Sequence, residues 1–240
     1  MGQVLVIFGS DSDSGVFEPL MDKLKERGVE ARLEICSAHR EPERLKEILD
    51  KAGESLVVAG AGLSAALPGF VASHSKKLVL GVPAKANYSG LDAFLSIHQM
   101  PKGFSVLGVG IEAIGEAVKG TEMILAGRKR VVVVKPESEE ALKRFKACTE
   151  KLEGLGSKFE ESEDDHYSKD DAVYIDFVEL GEVEEVDSEG KLVIFVPVKK
   201  DSDKKDALKM AVLASKGLWV GLGRGENAAL CAAKIAKGGK

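Results

Sequence analysis

Four short clusters in the first half of the chain combine residue types that can hold a small polar ligand and move a proton. Gly9-Ser10-Asp11-Ser12-Asp13 follows the apolar run at residues 4–8, which places it where a strand gives way to a helix. Glycine permits a tight turn there, and backbone N–H groups and hydroxyls face ligand space, a natural seat for phosphate or ribose. The same serine and aspartate types also cap helices. Ser37-Ala38-His39-Arg40 follows the run at residues 31–35. A histidine titrates near neutrality and can give and take a proton, and arginine is a forked donor to phosphate, although a lone His-Arg pair at a strand end is ordinarily a surface feature. Gly60-Ala61-Gly62 and the residues running on through Ser64-Ala65-Ala66-Leu67-Pro68-Gly69 are small enough to let a ligand lie against backbone. They suit close helix–sheet packing equally well. A fourth stretch, residues 87–92 through 96–101, lies after a further strand and is expected to cover the crevice.

The elements that must position these clusters emerge from hydrophobic periodicity. Residues 4–8 read as a buried strand, and Phe17, Leu20, Met21 and Leu24 mark one face of a helix ending at Gly28. The alternation continues with strands at residues 31–35, 56–59, 78–82 and 106–109. Helices are expected over residues 41–52, from about Leu63, over 91–97, and ending near Ala126. Five strand–helix pairs imply a parallel sheet covered on both faces, with ligands at the carboxyl ends of the strands. On that geometry the first three clusters share one rim, which favours a binding crevice over three unrelated surface features.

A sixth buried strand at residues 131–134 restarts the pattern after the basic run 128–130, so the chain divides into domains 1–127 and 128–240. At a fixed offset of 114, residues 77–106 and 191–220 share 11 identities in 30 positions, including KLVLGVPAK against KLVIFVPVK. An ancestral duplication accounts for this better than coincidence. Residues 160–189 depart from the pattern, with fourteen acids and one lysine, and their alternating apolar residues suggest an exposed β-hairpin. The acidic run ESEDD reads as a solvated loop. The second half has no GSDSD and no SAHR; Pro136-Glu137 stands near the position of Gly9-Ser10, so this half is expected to be catalytically silent. Gly221-Leu222-Gly223-Arg224-Gly225 looks like a phosphate loop, but the repeat places it at the last strand–helix junction. His74, His98 and His166 lie outside the chemical clusters.

Composition narrows the partners. Hydrophobic residues at 44% and charged residues at 30% are ordinary for a folded globular protein. A net charge of −5 offers no general attraction to nucleic acid. The amino terminus has no basic region before a strand-length apolar run, which fits neither a signal peptide nor a membrane span, so the expected address is cytoplasmic. Cys36, Cys148 and Cys231 form no CxxC pair and read as reduced thiols, with no metal site.

GSDSD, SAHR, AGAG followed by ALPG, GVP, and SI followed by QMP together resemble the N5-carboxyaminoimidazole ribonucleotide mutase family of purine biosynthesis, over about residues 3–126. The resemblance implies a flavodoxin-like three-layer α/β sandwich, followed here by the degenerate second domain of the same ancestry. It also implies a ribonucleotide substrate with CO2 as its partner, and no metal or organic cofactor. Carried over by position, His39 is the acid-base group. Ser10, Asp11 and Asp13 meet the ribose and imidazole, Ser37 and Arg40 the phosphate end, and the backbone of Gly60, Ala61 and Gly62 lines a space for CO2. Ala66 stands where the family pattern GAAHLPG has histidine. The AGRSN segment of the related direct carboxylases is absent, and GVP and QMP are similar to the mutase class. The family's octameric assembly implies that four two-domain chains form a homotetrameric pseudo-octamer.

Overall fold

Apolar runs flanked by polar turns become the strands of one ten-stranded sheet. The computed structural model describes residues 3–63, 65–163 and 166–238; Ser64 of the glycine-rich segment and Asp164 and Asp165 of the acidic run lie outside them. In the first half β1 (Gln3–Phe8), β2 (Glu30–Ile35), β3 (Leu56–Ala61), β4 (Leu78–Pro83) and β5 (Val106–Gly108) alternate with helices. These are α1 (Ser14–Glu26), α2 (Pro42–Lys51), α3 (Leu67–His74), α4 (Leu91–His98) and α5 (Ile114–Leu125). All five strands are parallel, in the order β2-β1-β3-β4-β5. Every residue of β3 and β4 is buried, as a parallel sheet covered on both faces requires. The third helix begins at Leu67 rather than near Leu63, because Pro68 occupies its first turn, where a missing N–H costs nothing.

The second half comprises β6 (Arg130–Val134), α6 (Glu139–Gly154), β7 (Glu160–Ser162), β8 (Ala172–Glu179), β9 (Leu192–Val198), α7 (Lys204–Leu213), β10 (Leu218–Trp219) and α8 (Gly225–Ala236). Its strands lie in the order β7-β6-β8-β9-β10, all parallel to one another. The hairpin expected over residues 160–189 does not form. Both β7 and β8 run parallel to β6 on its two sides, and β8 is a largely buried interior strand. The acids misled that expectation because they fall mostly in the turns before and after β8, while Asp176 within it accepts a hydrogen bond from the Tyr167 hydroxyl at 2.7 Å.

The two sets of five strands meet at β5 and β10, which pair antiparallel through Gly108 and Trp219. One apolar core runs under both halves, joining α1 and α5 to α6 and α8. On the opposite face α2 and α3 cover the first half, and α4 spans to the second, with Ala93 and Ile97 in one cluster and Phe94 beside Met210 and Leu213 in the next. Polar ties cross the same junction. The buried Asn227 amide donates to Pro101 O and its carbonyl accepts from Gly103 N, both at 2.9 Å. Lys102 pairs with Glu226 at 2.6 Å. The three cysteines are buried and free, and burial pushes the Cys231 thiol up to about 12. Among the described residues no helix is long and apolar enough to cross a membrane.

His98 ends α4 beside this junction. Its ring is buried against Phe94 with centroids 4.0 Å apart, and Nδ1 lies 2.8 Å from Phe94 O. Burial, opposed by the backbone contacts of Phe94 and Gly108, brings its pKa from 6.5 down to about 4. The unfolded chain therefore binds a proton between those values that the folded chain refuses, so His98 costs stability as pH falls from 6.5 toward 4. In urea titrations the unfolding free energy should drop over that window by roughly 3 kcal/mol more in the native chain than in His98→Gln. Parallel pH curves for the two proteins would show that His98 is not the group responsible.

Candidate active site

The carboxyl ends of β1 to β4 open onto a cleft of about 430 Å³. Each strand delivers one segment to it. After β1, Gly9 N donates to Gly60 O at 3.3 Å, and the chain turns through a short 3-10 segment, Asp11–Asp13, into α1. Ser10 caps that turn: its Oγ accepts from Ser12 N at 3.2 Å and from the Ser12 hydroxyl at 2.9 Å. Asp13, half-buried, faces the cleft beside Gly62, where an added Cβ would stand 3.6 Å from the Asp13 carboxylate. Burial pushes the Asp13 carboxyl above its ordinary range.

After β2, Cys36 N bonds Phe8 O at 2.9 Å, and residues 38–40 form a turn. Ser37 stabilises it, accepting from Glu41 N through its carbonyl at 2.9 Å and from Arg40 N through its hydroxyl at 3.4 Å. Arg44 anchors the base of the turn by donating to Ile35 O at 3.0 Å and pairing with Glu41 at 3.0 Å. The turn leaves His39 and Arg40 exposed on the cleft rim. Ala61, Gly62, Ala66 and Leu67 form the wall contributed after β3, and Lys85 and Ala86 that after β4.

The sequence-based candidates Ser10, Asp13, Ser37, His39, Arg40, Ala61 and Gly62 thus converge on one cleft. Two others do not line it. Asp11 is exposed on the turn and is not part of the cleft wall. Gly60 is buried under Phe8, where an added Cβ would lie 2.1 Å from the ring, so close strand packing accounts for this glycine. The stretch expected as a cover contributes little to the wall. Tyr88 is 82% exposed, and Met100 packs against Gly69. Ser12, part of the first cluster but given no contact of its own, also lines the cleft, and Lys85 is a lining residue that the motif reading missed; its position just beyond the β4 carboxyl end is the signal that could have found it.

The cleft therefore presents Arg40 and Lys85 as cations, Asp13 as a carboxyl held above its usual range, Ser10 and Ser37 as hydroxyls, and an exposed imidazole. That set can hold a phosphate and sugar hydroxyls while moving a proton. Among the described residues no group of three His, Cys, Asp or Glu side chains is placed to hold a metal ion.

Residues 3–151 match the family model of AIR carboxylase, a stretch that runs past β6 into α6. The N5-carboxyaminoimidazole ribonucleotide mutase of Pyrococcus horikoshii is 41% identical over 162 residues, covering 65% of this chain and 88% of that protein. The mutase of Methanocaldococcus jannaschii is 46% identical over 109 residues, 45% of this chain and 69% of that protein. Among solved structures, PurE of Treponema denticola is 28% identical with a TM-score of 0.43, covering 52% of this chain and 92% of that one. Because the matched stretch takes in all four strand ends of the cleft and more than half of the 240 residues, this chain belongs to the AIR carboxylase family.

Proposed function

We propose that the chain rearranges N5-carboxyaminoimidazole ribonucleotide to 4-carboxyaminoimidazole ribonucleotide in purine biosynthesis, with His39 as the acid-base group. The observation that carries this reading is the convergence of His39, Arg40, Ser37, Ser10 and Asp13 on a single cleft, together with relatives that bear the mutase name over most of their length. In the reaction the carbamate nitrogen takes a proton as its bond to the carboxyl carbon breaks and CO2 departs. The imidazole carbon then attacks CO2, forming the new carbon–carbon bond, and loses its own proton. One proton enters and one leaves, so a single imidazole returns to its starting state. Arg40, with Lys85 across the cleft, suits the phosphate, and Ser10 and Asp13 suit the ribose and ring. Ala61 and Gly62 form wall against which CO2 is retained between the two steps. The proposed address is cytoplasmic.

The second half supports this site without repeating it. Its strand order matches that of the first half, and the identities between residues 77–106 and 191–220 fall on β4 and β9 and on the segments that include α4 and α7; both features favour descent from one duplicated domain. Its strand-end lysines are engaged internally, Lys135 with Glu163 at 3.1 Å and Lys199 with Asp206 at 2.9 Å. In this reading residues 128–240 are a non-catalytic structural copy, and four chains assemble into a pseudo-octamer with four working clefts.

His39→Asn should retain the fold and nucleotide binding while lowering turnover of the carbamate substrate by at least ~100-fold, and Arg40→Ala should act chiefly on KM. Near-native turnover of His39→Asn removes that residue from its role. Product formed only from aminoimidazole ribonucleotide and bicarbonate, with the carbamate inert, replaces the mutase with a direct carboxylase, and no turnover of either substrate leaves a nucleotide sensor. Light scattering should give a mass near four chains, with one tight nucleotide bound per chain. A stable, fully active monomer of residues 1–127 would contradict the supporting role of the second half.

A further inference from the structure

Backbone strain in this molecule gathers beside the cleft. Among the described residues four other than glycine hold a left-handed backbone, and three of them follow β4 and β5: Tyr88 at φ 50°, Ser89 at 56° and Glu112 at 52°. Such a backbone suits glycine, and a side chain kept there costs free energy that its contacts must offset. The contacts of these segments converge on the main chain of Lys85, which β4 delivers to the cleft wall.

Glu112 takes hold of the β4 end at two points. Its N–H donates to Pro83 O at 2.9 Å, and its Oε1 accepts from Lys85 N at 3.3 Å. The turn through Tyr88 and Ser89, closed by Gly90 N donating to Asn87 O at 2.8 Å, brings the chain back over the same place. A Cβ on Gly90 would lie 3.2 Å from Lys85 Cα and 2.8 Å from Ile111 Cγ2, so only a glycine lets this turn close on Lys85. From the β3 side Ala84 N donates to Ala61 O at 3.0 Å. The Lys85 backbone is thus held from three directions while its side chain is exposed in the cleft wall. Glu112 itself is exposed and is not part of that wall. It precedes α5, whose N-cap residue Ala113 makes no side-chain cap, so the Glu112 carboxylate serves Lys85 rather than the start of the helix.

We infer that Glu112 is a positioning residue for the proposed reaction: from outside the cleft its carboxylate fixes the main chain of Lys85, so that the ammonium meets the substrate phosphate at a set place. The inference rests on the function proposed above and adds to it a residue that touches no substrate. A lysine side chain is long and flexible, and any play in its backbone is added to the play of its ammonium; anchoring the N–H removes that part. The left-handed backbone of Glu112 is what the carboxylate contact offsets.

Glu112→Gly separates positioning from folding, because glycine suits the left-handed backbone and keeps the N–H to Pro83 while the carboxylate is lost. This variant should melt at or above the temperature of the native chain, yet raise KM for the carbamate at least about fivefold with a smaller effect on kcat. Glu112→Gln, which keeps an acceptor oxygen, should return KM to within about twofold of native, and in a Lys85→Ala chain Glu112→Gly should change KM no further. Calorimetric titration of the same proteins with aminoimidazole ribonucleotide reads this pattern without turnover. A native chain that binds the nucleotide but leaves the carbamate unchanged contradicts the proposed function, while the affinities still judge Glu112. A native KM and affinity in Glu112→Gly, a loss that persists undiminished in the Lys85→Ala chain, or a folded Glu112→Gln that restores neither overturns the inference. So does a clearly lowered melting temperature in Glu112→Gly, which assigns the carboxylate to folding, and so does absence of nucleotide binding by the native chain.

Discussion

Close approach of backbone at the junction of β5 and β10 is the constraint on which the rest of the molecule depends. Only Gly108 and Trp219 are in register there, so little of the attachment comes from ladder hydrogen bonds. Packing supplies the rest. A Cβ on Gly108 would fall 2.3 Å from His98 Nε2, and one on Gly221 would fall 2.4 Å from His98 O. The absence of those two carbons lets α4 lie between the halves, while Trp219, fully buried, packs on Phe195 at 5.0 Å. Without this contact β5, three residues long, would be an open sheet edge with unpaired backbone groups. The second half closes that edge.

The two halves use the same kind of strand end for opposite purposes. Beyond β9, Lys199 is held by Asp206, whose carboxylate also accepts from Asp203 N at 2.8 Å in a capping box at the start of α7. Beyond β4, at the position 114 residues earlier, Lys85 is exposed in the cleft wall, and its backbone N–H donates to Glu112 at 3.3 Å. Internal pairing fixes a side chain and satisfies its charge, which favours rigidity; an unspent charge on a positioned backbone is available to a ligand. This difference separates the cleft-bearing half from its neighbour more sharply than the presence or absence of any single motif.

Much of the first half is legible in sequence because its information is local. Residues 4–8, 56–59 and 78–82 are apolar runs of strand length bounded by polar turns, and each turn sits at a strand end by construction. Gly60 misleads because a glycine serving a neighbouring ring and a glycine serving a ligand look alike until Phe8 is seen above it. The strand β8 misleads for a related reason: alternation gives the period of a strand but says nothing of its partners. Those partners, β6 and β9, approach from about forty residues before it and from the far side of an acidic loop, so only the folded chain reveals that β8 is interior. The seam is the least legible feature, since Gly108 and Trp219 are ordinary residues until they meet.

The alanine at position 66 bears on how the proposed chemistry is shared out. Where the family pattern has histidine, Ala66 lines the cleft together with Ala61 and Leu67, leaving this wall apolar. CO2 released from the carbamate is neutral and linear and gains little from a charged neighbour, whereas water at the same place competes for the ring carbon's partner and lets CO2 escape. A small apolar wall holds the gas without binding it strongly, which the second step requires because the carbon–carbon bond must still form. Removing one imidazole from this wall leaves His39, across the cleft on its exposed turn, as the histidine among the described cleft-lining residues. In the proposed reaction both proton transfers then fall to His39, on a turn whose geometry Ser37 and Arg44 hold.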